Sequence, residues 1–136
     1  MQAHEWFRPL VAAGGAALSY LYGGWSASLG VLLFLAALDY ASGFTAAAIE
    51  GHLSSQIGAR GIAKKVFMFA IVAVGHLIDG ALGEAHLIRD AAIYWYIANE
   101  VLSVVENMGR IGVPIPPVIS RAVEVLRGKG EGANVR

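Results

Sequence analysis

The longest uncharged run in the chain, residues 9–38, is interrupted only by Gly23-Gly24, and two more apolar stretches follow at about 62–82 and 88–108. An apolar stretch of about 20 residues spans the hydrocarbon of a bilayer as a helix. Several of them in one short chain require lipid on the outside, because a soluble domain has nowhere to bury so many. Only 15% of the residues are charged, against about a quarter in soluble domains. The sequence therefore reads as an all-α polytopic membrane protein. The spans expected are 10–23, 27–49, 62–82 and 88–108, making a transmembrane domain over 1–112 and a cytoplasmic tail over 113–136.

The first span is the shortest. It is dense in Ala and Gly (Ala12, Ala13, Gly14, Gly15, Ala16, Ala17), which lets helices approach closely in lipid. If it lies along the surface instead, three spans remain. The uncharged run exceeds a cleavable signal's apolar region and no processing site followed by a soluble domain is evident, so the chain reads as uncleaved.

Lys and Arg set the orientation. Arg8, Arg60, Lys64, Lys65, Arg110, Arg121, Arg127, Lys129 and Arg136 fall on one side of a four-span arrangement and Arg89 alone on the other. Both termini are then cytoplasmic. Gly23 and Gly24 read as a hinge. So do Gly109 and Gly112, with Pro114, Pro116 and Pro117 stopping the last span. Residues 51–62 read as a polar cytoplasmic loop carrying Ser54, Ser55, Gly58, Arg60 and Gly61, with Lys64 and Lys65 at the mouth of the third span. Residues 118–126 suit a short amphipathic helix and 128–136 a disordered end.

The polar residues inside the spans carry the functional question. At about 100° per residue, Tyr96, Asn99, Glu100, Ser103, Glu106, Asn107 and Arg110 fall within roughly 120° of one helix. Ile97, Val101, Leu102, Val104, Val105 and Met108 cover the opposite face. Asp39, Ser42, Gly43, Ala46 and Glu50 form a similar stripe on the second span. An ionised Asp at mid-span costs about 2.5–3.5 kcal/mol on insertion scales. Such residues must be protonated, paired or wet. Arg89 pairs locally with Asp90 or Glu84, and cationic partners for Asp39, Glu100 and Glu106 are not obvious. The bland reading is hydrogen bonding between helices; the functional one is a polar face that lines a pore or an interface between copies. So much polar surface on short helices points to a homo-oligomer.

Other chemistries find little support. The chain has no cysteine, so thiolate metal sites are excluded, and His4, His52, His76 and His86 lack metal-ligand spacing. The formal net charge is zero, which gives no field for nucleic acid. There is no phosphate-cradling Gly-rich loop, zinc-protease pair or nucleophile elbow. His76 and Asp79, one turn apart, would suit a proton relay or merely an interfacial site. The Asn99-Glu100 and Glu106-Asn107 pairs loosely resemble those of the small membrane kinases of diacylglycerol, where such groups hold metal and phosphate. Their short spacing and Pro-rich exit fit that reading poorly. No enzyme, metal or cofactor is expected; a small homo-oligomeric ion channel or transporter subunit is the alternative.

Three segments taken in order, LDYASG (38–43), SSQIGARGIAKK (54–65) and IANEVLSVVENMGRIGVPIP (97–116), resemble the toxin-secretion/phage-lysis holins. The resemblance covers about 25–126. It implies a non-enzymatic lysis protein that oligomerises in the cytoplasmic membrane and opens holes at a programmed time. Its functional partner would be a peptidoglycan-degrading endolysin, or a toxin as cargo, with an antiholin as a further regulator. Matching positions are Asp39, Tyr40, Gly43, Ser54, Ser55, Gly58, Gly61, Lys65, Glu100, Ser103, Glu106, Asn107, Gly109, Gly112, Pro114 and Pro116.

Overall fold

A computed structural model describes residues 3–133, as five helices: α1 (Ala3–Tyr22), α2 (Ala27–Ile49), α3 (Ser55–Leu82), α4 (Leu87–Ile111) and α5 (Pro117–Ala133). No strand occurs among the described residues. The breaks follow the local chemistry. Gly23 and Gly24 take φ of 71° and 97°, which a side chain would resist. They turn the chain sharply before Ser26, whose hydroxyl caps α2 by accepting from Leu29 N at 3.2 Å. Gly112, at φ 93°, ends α4. Pro114 and Pro116 lie in the short connection that follows, and Pro117 opens α5, where its missing N–H costs nothing.

Several boundaries depart from the sequence reading, and α1 is the first, beginning at Ala3 with Pro9 inside it and not near 10. The third helix begins at Ser55, not near 62, because Ser54 caps it, accepting from Ile57 N at 3.2 Å. Gly58, Arg60, Gly61, Lys64 and Lys65 are therefore helical, and the true connection is only 50–54. Gly58 and Gly61 serve close packing rather than flexibility: a Cβ on Gly61 would stand 3.2 Å from the Tyr40 ring, and one on Gly58 3.3 Å from its hydroxyl. Gly109 is an ordinary residue inside α4, so the break there belongs to Gly112 alone. At the tail, α5 runs on through 128–133, where disorder was expected; 134–136 lie outside the described residues.

α4 is the central helix. It packs most extensively on α2 and next on α3, whereas α2 and α3 barely touch each other. Leu29, Leu32, Ala36, Met68, Val72 and Ile93 make the core, flanked by Tyr22, Phe69, Tyr96 and Ile97. On one side α2 and α3 leave an open apolar groove of about 750 Å³, walled by Leu33, Ala36, Ala37, Phe69, Ala73 and Val74. Gly75 lets α3 lie against α4, since a Cβ there would meet the Arg89 backbone at 3.2 Å. α1 touches the rest chiefly through α3, and α5 packs on α4.

The outside of the bundle is greasy. Phe34, Val66, Phe67, Tyr94 and Trp95 are all at least 60% exposed, a surface that water would not tolerate over such an area. α2 and α3 are long and apolar enough to cross a membrane, at 23 and 28 residues. Most of each points away from the protein interior. This is an all-helical membrane protein.

Candidate functional site: a lysine between two carboxylates

The polar stripes of α2 and α4 meet each other, and α3 supplies what they lack. Asp39 lies midway along α2, Glu100 midway along α4, and Lys65 is ten residues into α3, roughly 15 Å along its axis. Lys65 Nζ donates to Asp39 Oδ2 at 2.6 Å and to Glu100 Oε2 at 2.7 Å. Asn107 Nδ2 donates to the other Asp39 oxygen at 2.8 Å, to the Asp39 carbonyl at 3.2 Å and to Ser42 Oγ at 3.1 Å. Gly43 makes room, since a Cβ there would come within 3.3 Å of that amide nitrogen. Ser42, Glu100 and Asn107 are buried. One ammonium thus serves two carboxylates, so the cluster carries one more acidic group than basic groups.

Toward the chain's Lys/Arg-rich end the network continues. Arg110 donates to Asn107 Oδ1 at 3.2 Å and forks onto both oxygens of Glu50, at 3.0 and 2.7 Å. The hydrogen bonds from Arg110 hold the Glu50 carboxyl below its usual range, so the pair stays charged at neutral pH. A cleft of about 320 Å³ lies beside this ladder, bordered by Asp39, Tyr40, Phe44, Lys64, Lys65 and Arg110. It reaches the half-buried lysine.

The sequence placed Asp39, Ser42, Gly43, Glu100 and Asn107 on polar faces, and the structure brings these residues together, with half-buried Ser103 on the same helix. It separates Asn99 and Glu106 from them. Asn99 is exposed and bonds back to the Trp95 carbonyl of its own helix. Glu106 is exposed and pairs with Arg127 of α5. The acids therefore have cationic partners after all, which corrects the expectation that they lack them. Lys65, read as a residue of the cytoplasmic mouth, is the one missed. Its signal was available: Lys65, Met68, Val72, Gly75 and Asp79 recur at spacings of three and four, the inward seam of one helix. Lys64, one position out of phase, is exposed.

A second polar cluster closes the opposite end. Arg89 pairs with Asp90 at 2.9 Å, as its position suggested. Asp79, only 1% exposed, accepts from the backbone nitrogens of Ile88 and Arg89 at 2.8 and 2.9 Å. It caps α4 from a different helix, and both its oxygens are thereby used. No hydrogen bond joins it to His76, so the proton relay is not formed. Among the described residues no group of three or more His, Cys, Asp or Glu is placed to hold a metal.

A greasy helical bundle with a few charged side chains paired between its helices defines the class, a small membrane protein with an internal ion-pair network. The profile of the bacteriophage holin family matches residues 16–128. The chain belongs to that family, as the ordered motifs implied. It is 32% identical to a probable holin of Bacillus phage phi105 over 76% of each chain. It is also 41% identical to an uncharacterised protein of Halalkalibacterium halodurans, over 91% of this chain and 93% of that one. An uncharacterised Listeria innocua protein is 39% identical over 85% of this chain and 82% of its own. No solved structure matches the chain.

Proposed function

We propose that this protein is a hole-forming holin of a bacterial cytoplasmic membrane, four-span with both termini inside, which lets an endolysin out of the cytoplasm to lyse the cell. The observation that carries the mechanism is the Lys65–Asp39–Glu100 cluster, because it lets a single chain enter lipid with its charges already satisfied. Each copy can then accumulate without harm, its apolar exterior facing lipid. At high density copies pack against one another, and the polar faces of α2 and α4 turn from their own chain toward shared water. Asp39, Ser42, Glu100, Ser103 and Asn107 line the hole, and Gly23, Gly24 and Gly112 are the points at which helices swing. Water and neighbouring copies replace the partners each chain gives up, since in hydrocarbon no polar group can be left unmatched.

The test is expression with a cytoplasmic endolysin and a folded fluorescent reporter. Abrupt lysis with reporter release is expected from the native chain. Glu100→Leu leaves Lys65 paired to Asp39, so membrane accumulation is expected to be normal while lysis is lost or strongly delayed. Normal lysis timing by that variant would refute the pore-lining role. Ion leakage from the native chain without reporter release would replace the hole with a small channel.

A further inference from the structure

The turn between α1 and α2 rests on two histidines that the lysis mechanism does not use. His76 of α3 and His86, just before α4, stack with ring centroids 5.7 Å apart and planes 24° from parallel. The Nδ1 atom of each is buried without a hydrogen-bond partner. Gly23 sits directly on both rings: a Cβ there would be 2.6 Å from His76 Cε1 and 2.7 Å from His86 Cε1. The same elbow is held by Arg89, which donates to the Tyr22 carbonyl at 2.6 Å, and by the Tyr22 hydroxyl, which donates to the Phe69 carbonyl at 3.1 Å. The docking of α1 is therefore concentrated at its last turn.

We propose that His76 and His86 form a proton-operated latch: with neutral rings they seat the α1–α2 elbow, and protonation of both releases α1 from α3. The charge balance around the pair sets the threshold. Asp79 faces it from α3, and Arg89 with Asp90 from α4. α1 contributes only the Tyr22 phenol, the first turns of α2 carry no charge, and Glu84 lies exposed in the turn before His86. Two carboxylates against one guanidinium accommodate one added positive charge. A second proton places two like charges ring against ring, with a buried Nδ1 on each ring that meets no hydrogen-bond partner in this packing. Separating the rings and wetting them relieves both problems, and the glycine seat moves with them.

The chain has no cysteine, which makes double electron–electron resonance on spin-labelled Ser19→Cys/Ala81→Cys protein direct. Liposomes with the same buffer on both sides make the result independent of orientation and of hole formation. At about pH 7.5 one narrow α1–α3 distance is expected. At about pH 5.0 a longer, broader population should hold more than half of the molecules. His86→Phe keeps a stacked ring that cannot be charged, and should stay narrow at both values; His76→Gln/His86→Gln should be equally indifferent to pH. An unchanged native distribution in acid would overturn the latch, and so would acid opening of the His86→Phe protein.

Discussion

Lys65→Met is expected to cost about 3 kcal/mol, the lower end of the penalty for removing one partner from a buried ion pair, because Glu100 is buried while Lys65 and Asp39 are partly so. The loss exceeds that of an ordinary surface lysine because the ammonium serves Asp39 and Glu100 at once, at 2.6 and 2.7 Å. Without it two carboxylates face each other inside the bundle, and Asn107 can donate to only one of them. The folded chain should then unfold in detergent at a markedly lower temperature than the native protein, read by circular dichroism, and accumulate poorly in membranes. Adding Asp39→Asn and Glu100→Gln to Lys65→Met should recover most of the loss. Neutral amides can bond to one another and to Ser42 and Asn107, and exchanging a whole buried charge cluster for neutral groups is often close to neutral in stability. A Lys65→Met protein as stable as the native one would show that the lysine is not the partner of these acids in the membrane. Lys64→Met, one residue away and pointing outward, should behave as native.

Asp79→Ala is expected to have the next largest effect. Its carboxylate accepts from two backbone nitrogens at the start of α4, and His86, the residue at the helix's own cap position, makes no side-chain cap. Alanine would leave the Arg89 N–H buried without an acceptor, at about 1–3 kcal/mol, and the part-buried Ile88 N–H without one at a smaller cost. Asp79→Asn keeps one carbonyl oxygen and should fall between. The local reading is amide exchange: the Ile88 and Arg89 amides should lose protection in Asp79→Ala while those deep in α2 keep theirs. Unchanged protection at Ile88 would mean that α4 is capped in another way.

The helices and their breaks were legible because they depend on local chemistry. Uncharged length, glycine pairs and prolines act within a few residues, and each leaves a mark on the sequence, whereas the Ser54 cap that starts α3 was read as loop. The polar faces of α2 and α4 were legible for the same reason, since helical spacing alone aligns Asp39 with Ser42 and Glu100 with Asn107. What faces them was not, because pairing across helices depends on which element lies between which. The adjacent Lys64 and Lys65 look alike as residues and differ only in phase, and reading them as part of a mouth hid the phase. Glu106 shared a stripe with Glu100 yet is taken by Arg127 from a tail helix that runs longer than its glycines suggested. The tertiary cap by Asp79 could not be seen at all, because donor and acceptor lie on different helices and no local motif joins them. Holin membership, by contrast, rested on an ordered set of short motifs and needed no tertiary information.

The account depends on one ammonium reaching two acids of the same chain in lipid. Solid-state NMR on bilayer samples, labelled with ¹⁵N at lysine and ¹³C at the Asp and Glu carboxyls, measures this directly through dipolar dephasing. Diluting labelled chains in unlabelled ones restricts the signal to contacts within one molecule. The Lys65 ammonium is predicted to be dephased by one Asp and one Glu carboxyl carbon, and both couplings should vanish in Lys65→Met. A Lys65 signal coupled to neither carboxyl, or coupled only when the labelled chains are undiluted, would contradict a network closed within each chain.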